Sequence, residues 1–333
     1  MSVGELQKTI SDLIAPGKGV LAADESSGTI AKRLASVGVE STEETRRAYR
    51  NLLLTSPEIE KYLCGVILFE ETLLQSDDAG NMFPALLEGK GIVPGIKVDK
   101  GTIPLVGGGG DLITQGLDGL PDRLATYKSQ GARFTKWREV YEIGDENPTD
   151  LGIQANADVL ARYAGICQDN GFVPIVEPEV LMDGTHSIEQ CEEVTEKVLH
   201  AVFHALYQHG VHLEYMLLKP NMILPGKESG APIDATEVAE RTLRVLRRTV
   251  PAAVPSINFL SGGQSSEDAT KNLYAMNIST VSKPWVLSFS FARALQQPAM
   301  GIWQGDSNNK DAAQAAFKER LSANSAARDG KKN

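Results

Sequence analysis

Seven charged side chains sit where an apolar strand should not carry them. Lys219 ends the run Met216-Leu217-Leu218-Lys219 and is followed by Pro220-Asn221. A lysine at the end of an apolar strand either snorkels to water or is buried, and burial disfavours its ammonium form. A second cation nearby, which Lys136 can supply, pushes in the same direction. The free amine that results is a nucleophile toward a carbonyl, so imine (Schiff-base) chemistry is the natural expectation. The others end comparable runs: Asp24, Lys97, Lys136 with Arg138, and Glu177 with Glu179. Residues i and i+2 share one face of a strand, so the last two pairs project together.

A further group has the character of an anion site. Ser261-Gly262-Gly263-Gln264 offers backbone N–H groups at a strand-to-helix turn, where glycine lets an anion approach and a helix N-terminus adds its dipole. Ser290 ends the last strand, and Arg293 just beyond it can grip a phosphate with two parallel hydrogen bonds.

The elements that must position these residues follow from the pattern of apolar runs. Eight runs recur: Gly19–Asp24, Gly65–Phe69, Val93–Val98, Phe134–Arg138, Val173–Glu177, Tyr215–Lys219, Ser256–Ser261 and Trp285–Ser290. Helical segments alternate with them, at Thr42–Leu54, Leu117–Ser129, Asn156–Asn170, Ser187–Gln208, Asp234–Arg248 and Ser265–Met276. Eight βα units predict an α/β fold, a (β/α)8 TIM barrel in a single domain, rather than an open doubly wound sheet. In that barrel every charge named above falls at the C-terminal mouth, where such folds build their sites, and the loops after strands seven and eight commonly hold phosphate.

The 333 residues suit one barrel, and no Pro/Ser/Gly linker divides them. The expectation is one domain over residues 1–333, with a short N-terminal helix stopped by Pro16-Gly17. Beyond about Gln304 an Ala-rich amphipathic helix follows, and Asp329–Asn333 reads as a frayed end. The glycine run Gly107–Gly110 lacks the Gly-Lys-Ser/Thr of a P-loop and reads as a flexible loop. The net charge of −10, from 33 Lys and Arg against 43 Asp and Glu, argues against nucleic acid as a partner. No apolar run approaches the roughly 18 residues a membrane span needs. Cys64, Cys167 and Cys191 are few and scattered, which suits a reducing, cytoplasmic setting. His200 and His204 have the i,i+4 spacing of metal ligands but lack the HExxH glutamate and belong to the outer layer, so no metal and no cofactor are expected. Asn277-Ile278-Ser279 matches a glycosylation sequon without a secretory signal beside it.

With these residues in hand, the chain resembles the class I (Schiff-base) fructose-1,6-bisphosphate aldolases from about Ile10 to about Ala327. The resemblance is carried by LAADESSGTIAKRL from Leu21, GIKVDKG from Gly95, KWR from Lys136 and IVEPE from Ile175. It continues in LLKPNM from Leu217, FLSGGQS from Phe259 and KPWVLSFSFARALQ from Lys283. It implies a glycolytic and gluconeogenic lyase in which Lys219 forms the imine with the ketose. Glu177 would act as acid and base for that imine, Asp24 would take the C4 hydroxyl proton, Lys136 would polarise the reacting hydroxyls, and Glu179 would hold the lysines. Ser261, Gly262 and Arg293, with Ser290 beside them, would bind the C1 phosphate, and Ser26, Lys97 and Arg138 the C6 phosphate. It also implies a sugar phosphate as the small-molecule partner and a homotetramer. There are three departures. The last tyrosine is Tyr274, whereas eukaryotic relatives end in a tyrosine implicated in protonating the enamine. Phe291-Ala292-Arg293 stands for the usual Tyr-Gly-Arg. Glu70 stands where many relatives have His, with no expected effect on catalysis. The competing readings are an aldolase for another phosphorylated ketose such as fructose 1-phosphate, a metal-dependent hydrolase and a non-enzymatic scaffold.

Overall fold

The computed structural model describes residues 3–332. Ten strands form in chain order: β1 Gly19–Ala23, β2 Leu63–Leu68, β3 Val93–Lys97, β4 Thr102–Pro104, β5 Leu112–Thr114, β6 Phe134–Tyr141, β7 Val173–Val180, β8 Leu217–Leu218, β9 Ser256–Phe259 and β10 Val286–Phe291. Eight of them, all but β4 and β5, close into a parallel barrel in the order β1-β10-β9-β8-β7-β6-β3-β2. Helices lie between them, and the expected TIM barrel is the observed fold.

The helix starts follow from local chemistry. Thr42 and Ser187 each form a reciprocal capping box with the residue three positions on, and Thr149, Asp234 and Ser265 cap with their side chains. The helix Asp150–Asp169 therefore begins earlier than the expected Asn156, because Thr149 supplies the cap. Among the described residues four α-helices lie outside the expected set: Ser27–Ala35, the single turn Glu70–Leu73, Phe83–Gly89 and Arg293–Trp303.

Inside the barrel, period two decides everything. Val20, Val93, Phe134, Val173, Ile175 and Leu217 form an apolar floor. The N-terminal helix Val3–Leu13 closes it from below with Leu6, Ile10 and Leu13. Two residues further along the same strand faces stand Lys136, Glu177 and Lys219, and four residues beyond Val93 stands Lys97. The barrel is thus greasy at its base and charged at its mouth. The opposite strand faces pack against the helical layer through a second, larger apolar core.

Two local expectations are corrected. Gly107–Gly110 is not a free loop but the tip of the antiparallel hairpin β4–β5, where Leu105 and Asp111 pair through the Asp111 carbonyl at 2.8 Å. Nor does the C-terminal helix Lys310–Arg328 fray at once. Gly330, in the left-handed region, donates to Ala327, and Lys331 donates to the Ala326 carbonyl at 2.8 Å, a hydrogen-bonded helix stop. Asn333, the end of that expected tail, lies outside the described residues. No helix among the described residues is long and apolar enough to cross a membrane.

Candidate active site

All twelve residues singled out for chemistry line one cleft of about 510 Å³ at the C-terminal mouth of the barrel. Lys219, Glu177 and Lys136 are 3–4% exposed, so their charges must answer to one another rather than to water. Lys219 follows β8, and its backbone N–H still donates to the Val176 carbonyl at 2.8 Å, which keeps it in barrel register. Its Nζ lies 3.3 Å from Glu177 Oε1. Glu177 Oε2 lies 3.1 Å from Lys136 Nζ, which in turn is 2.7 Å from Asp24 Oδ2. The result is a buried chain in which basic and acidic side chains alternate, Lys219–Glu177–Lys136–Asp24.

These neighbours set the protonation states. Burial pushes the Asp24 carboxyl up, but Lys136, Lys219 and Lys97 together outweigh it and hold the group well below its ordinary value. Burial pushes the Lys136 ammonium down, but Asp24, Glu177 and Asp99 outweigh it and hold it well above. Asp24 is therefore an anion and Lys136 a cation across the neutral range.

The residues after Lys219 explain the local motif. Asn221 accepts from the Val180 backbone at 3.0 Å and donates to Thr195 at 3.1 Å, and the Pro220 carbonyl accepts from Leu260 at 3.1 Å. Lys-Pro-Asn thus ties β8 to the ends of β7 and β9 on either side. Glu179, one step above Glu177, pairs with Arg138 on the neighbouring strand rather than with a lysine. Lys97 is held by Asp99, which the sequence reading leaves out.

At the other side of the mouth, Gly262 and Gly263 take φ values of 56° and 91°, a turn that turns its backbone toward the cleft. Arg293, the first residue of its helix, lies against this turn: a Cβ at Gly263 would sit 3.1 Å from its Nη2. Among the described residues its guanidinium has no ion pair, while burial and the neighbouring Arg33 hold its pKa below the ordinary value. The Ser290 Oγ beside it is buried without a hydrogen-bond partner. A cation without an anion, an orphan hydroxyl and a glycine turn converge on one spot, which suits a phosphate.

Several contributors escape the sequence reading. Glu25 is buried against Arg50, 2.7 Å away, and Arg33, and accepts from Gln296 at 3.1 Å. Its position beside Asp24 is the only sequence signal for it. Lys32 and Arg33, from the unforeseen helix Ser27–Ala35, also line the cleft, near its cap residue Ser26. Ala292 lines the cleft too. Glu70 is bound by Lys100 at 2.6 Å and by the Tyr127 hydroxyl at 2.7 Å, away from the cleft. His200 and His204 are exposed on the helix Ile188–Gln208, far in sequence from every cleft residue, and His209 pairs with Asp158 at 2.9 Å.

A closed (β/α)8 barrel with buried lysines and carboxylates facing one another across its C-terminal mouth defines a TIM-barrel enzyme. A family model described as fructose-bisphosphate aldolase class-I matches residues 5–333. Fructose-bisphosphate aldolase 6, cytosolic, of Arabidopsis thaliana is 58% identical over 312 residues, covering 94% of this chain and 87% of that protein. Fructose-bisphosphate aldolase C-B of Danio rerio is 53% identical over 328 residues, covering 98% and 90%. A solved structure of the Plasmodium falciparum aldolase, in complex with TRAP and a small-molecule inhibitor, matches with TM-score 0.96 and 49% identity over 99% of this chain and 95% of that one. The chain belongs to the class-I fructose-bisphosphate aldolase family, and it is a carbon–carbon lyase.

Proposed function

We propose that this chain cleaves fructose 1,6-bisphosphate reversibly to dihydroxyacetone phosphate and glyceraldehyde 3-phosphate, as a glycolytic and gluconeogenic enzyme, through an imine on Lys219. The observation that carries the assignment is the single file Lys219–Glu177–Lys136–Asp24, with contacts of 3.3, 3.1 and 2.7 Å. The Lys219 amine adds to the C2 carbonyl, and Glu177 gives a proton to the leaving hydroxide, which departs as water. The protonated imine then draws electrons. Asp24 takes the C4 hydroxyl proton, the C3–C4 bond breaks, its electron pair moves to the imine nitrogen, and the aldehyde leaves. Protonation of the enamine at C3 and hydrolysis, again with Glu177, free the ketone and the lysine. Lys136, held cationic, polarises the hydroxyl that Asp24 deprotonates.

Ser261, Gly262, Ser290 and Arg293 take the C1 phosphate in this reading. Ser26, Lys97 and Arg138 take the C6 phosphate, and Glu179 fixes Arg138. A protein of net charge −10 can take such a substrate because the cations gather in the cleft and the excess acid lies elsewhere. The same reading makes the chain a single-domain homotetramer of the cytoplasm. The unpaired Cys64, Cys167 and Cys191 and the word cytosolic in the names of two Arabidopsis relatives support the compartment, and light scattering tests the tetramer.

The test is borohydride reduction in the presence of dihydroxyacetone phosphate, followed by peptide mass analysis. A stable adduct on Lys219, absent in Lys219→Met, is expected. An adduct on another lysine, or none, refutes the mechanism.

A further inference from the structure

Strand β6 carries a second acid whose place the reaction does not explain. Lys136 and Arg138 face the cleft, so Trp137, Glu139 and Tyr141 share the opposite face, against the helical layer. That face of a parallel strand should be apolar. Glu139 is nevertheless fully buried there, and among the described residues no ion pair compensates it. Its two oxygens accept two N–H groups: Oε1 from the Trp137 indole at 2.7 Å and Oε2 from the Thr114 backbone at 3.1 Å.

Thr114 ends the hairpin β4–β5, and through it the hairpin base is bonded to β6 on the face away from the cleft. The Thr114 hydroxyl donates to the Arg138 carbonyl at 2.8 Å. The next residue, Gln115, exchanges backbone hydrogen bonds with Lys100 and Gly101 at 2.8 and 2.9 Å. Gly101 donates to the Asp99 carboxylate at 3.4 Å, whose other oxygen accepts from the Arg138 backbone at 3.4 Å. Asp99 holds Lys97 through its carboxylate and, at 3.0 Å, through its carbonyl. A buried acceptor at Glu139 therefore fixes the hairpin base, and the hairpin base fixes both Lys97 and Arg138.

We propose that Glu139 is a positioning residue for the C6 phosphate: by anchoring Thr114 it sets the hairpin base that aims Lys97 and Arg138 into the cleft. Its reach ends there. The chain Lys219–Glu177–Lys136–Asp24 and the turn at Gly262 make no hydrogen bond to the hairpin among the described residues. The inference rests on the proposed cleavage of the bisphosphate and goes one step further, to the residue that sets preference between substrates with and without a distal phosphate.

The test compares fructose 1,6-bisphosphate with fructose 1-phosphate in Glu139→Ala and Glu139→Gln, beside the wild type. Glu139→Ala removes both acceptors and is expected to raise KM for the bisphosphate about tenfold, the worth of one buried hydrogen bond. KM for fructose 1-phosphate and kcat for either sugar should stay within about twofold. Glu139→Gln keeps one acceptor and should recover part of the loss, leaving a rise of about three- to fourfold confined to the bisphosphate, which is the readout if Glu139→Ala does not fold. Equal losses with both sugars mean a merely structural acid and overturn the proposal, as does no change with either. Borohydride trapping on the wild type is the separate check on the reaction itself: failure there sinks the proposed chemistry, whereas a trapped imine with no substrate split sinks only the role of Glu139.

Discussion

The Lys136 ammonium lies 2.7 Å from Asp24 Oδ2, with both groups buried at the barrel mouth. Each holds the other in its charged form, and the direction of the pH effect follows. Asp24 is held below its ordinary value of about 3.9, so the stability it brings is present above that value and is lost as pH falls through the lower one. Lys136 is held above its ordinary value of about 10.4, so its contribution is present below that pH and is lost only in strong base. Lys136→Met leaves Asp24 and Glu177 facing each other's charge without the cation between them. We expect a loss of about 3–5 kcal/mol of stability, as for other broken buried pairs. We expect kcat to fall by roughly 10²–10⁴, the range for a missing proton-transfer partner. The acid limb of the kcat/KM profile should move to higher pH, because Asp24 loses the cation that keeps it ionised. A variant with full loss of rate but an unmoved acid limb would show that Lys136 does not set the state of Asp24.

Arg293 and Gly263 make a second pair whose effects should match. Arg293→Ala removes an exposed guanidinium that has no ion pair among the described residues, so folding should lose little, while kcat/KM should fall roughly tenfold to a hundredfold. Gly263→Ala leaves the guanidinium in place. Its added Cβ would stand 2.8 Å from Lys227 Cε and 3.1 Å from Arg293 Nη2, at a φ of 91° that an alanine rarely adopts. It should imitate Arg293→Ala in KM and also cost about 1–3 kcal/mol of stability from the strained backbone. Steady-state kinetics with urea unfolding on the same preparations separate the two. Normal kinetics in Gly263→Ala would mean that the turn does not set the arginine.

Much of this site is legible in the sequence, and the reason is period two. Along β6 and β7 the sequence runs from Phe134 to Lys136 to Arg138 and from Ile175 to Glu177 to Glu179. Charge appearing only at the end of an apolar face marks a barrel mouth in any parallel strand. Glu139 lies in the same octapeptide and is just as visible as a charge, flanked at i±2 by Trp137 and Tyr141. What sequence does not reveal is its partner, because Thr114 belongs to a three-residue strand that reads as loop beside the glycine run. Glu25 is obscured in the same way: Arg33 and Arg50 reach it from two helices, and helix packing around the mouth is not written in any local period. The hydrogen-bonded stop at Gly330 is missed for an opposite reason, since a short polar tail resembles a frayed one until its carbonyl partners are known.

The barrel floor is close-packed enough to yield a prediction of its own. Gly95 on β3 has no side chain because the Phe134 ring occupies the space: a Cβ there would lie 2.3 Å from Phe134 Cζ. Phe134 stands directly below Lys136 on the same face of β6, so the ring also supports the reacting lysine. Gly95→Ala should cost about 1–3 kcal/mol by overpacking and lower kcat in step, as the ring moves and Lys136 with it. The double variant Gly95→Ala with Phe134→Leu should restore part of the stability. Denaturation of the three proteins checks this; additive losses would mean that the ring and the glycine do not share the space.

Glu139 gives the clearest dependence on pH. Burial pushes its carboxyl up, the two N–H donors pull it down, and burial prevails, placing it at about 8 against about 4.3 in an unfolded chain. Asp99, reached across the hairpin base, adds a like charge in the same upward direction. Between those two pH values the folded protein keeps a proton that the unfolded chain has released. The unfolded state then binds fewer protons, so the free energy of unfolding falls as pH rises from about 4.3 to about 8 and levels off above. Glu139→Gln cannot titrate, so its stability should lack this fall. At pH 5 the variant should be less stable by about 1 kcal/mol, because its amide meets one N–H donor with another donor. At pH 8.5 the order should reverse by a few kcal/mol, since the wild type then carries a buried, uncompensated carboxylate. Urea unfolding of both proteins at half-unit steps from pH 5 to 8.5 measures the crossing, and parallel curves would show that Glu139 stays ionised in the folded barrel throughout.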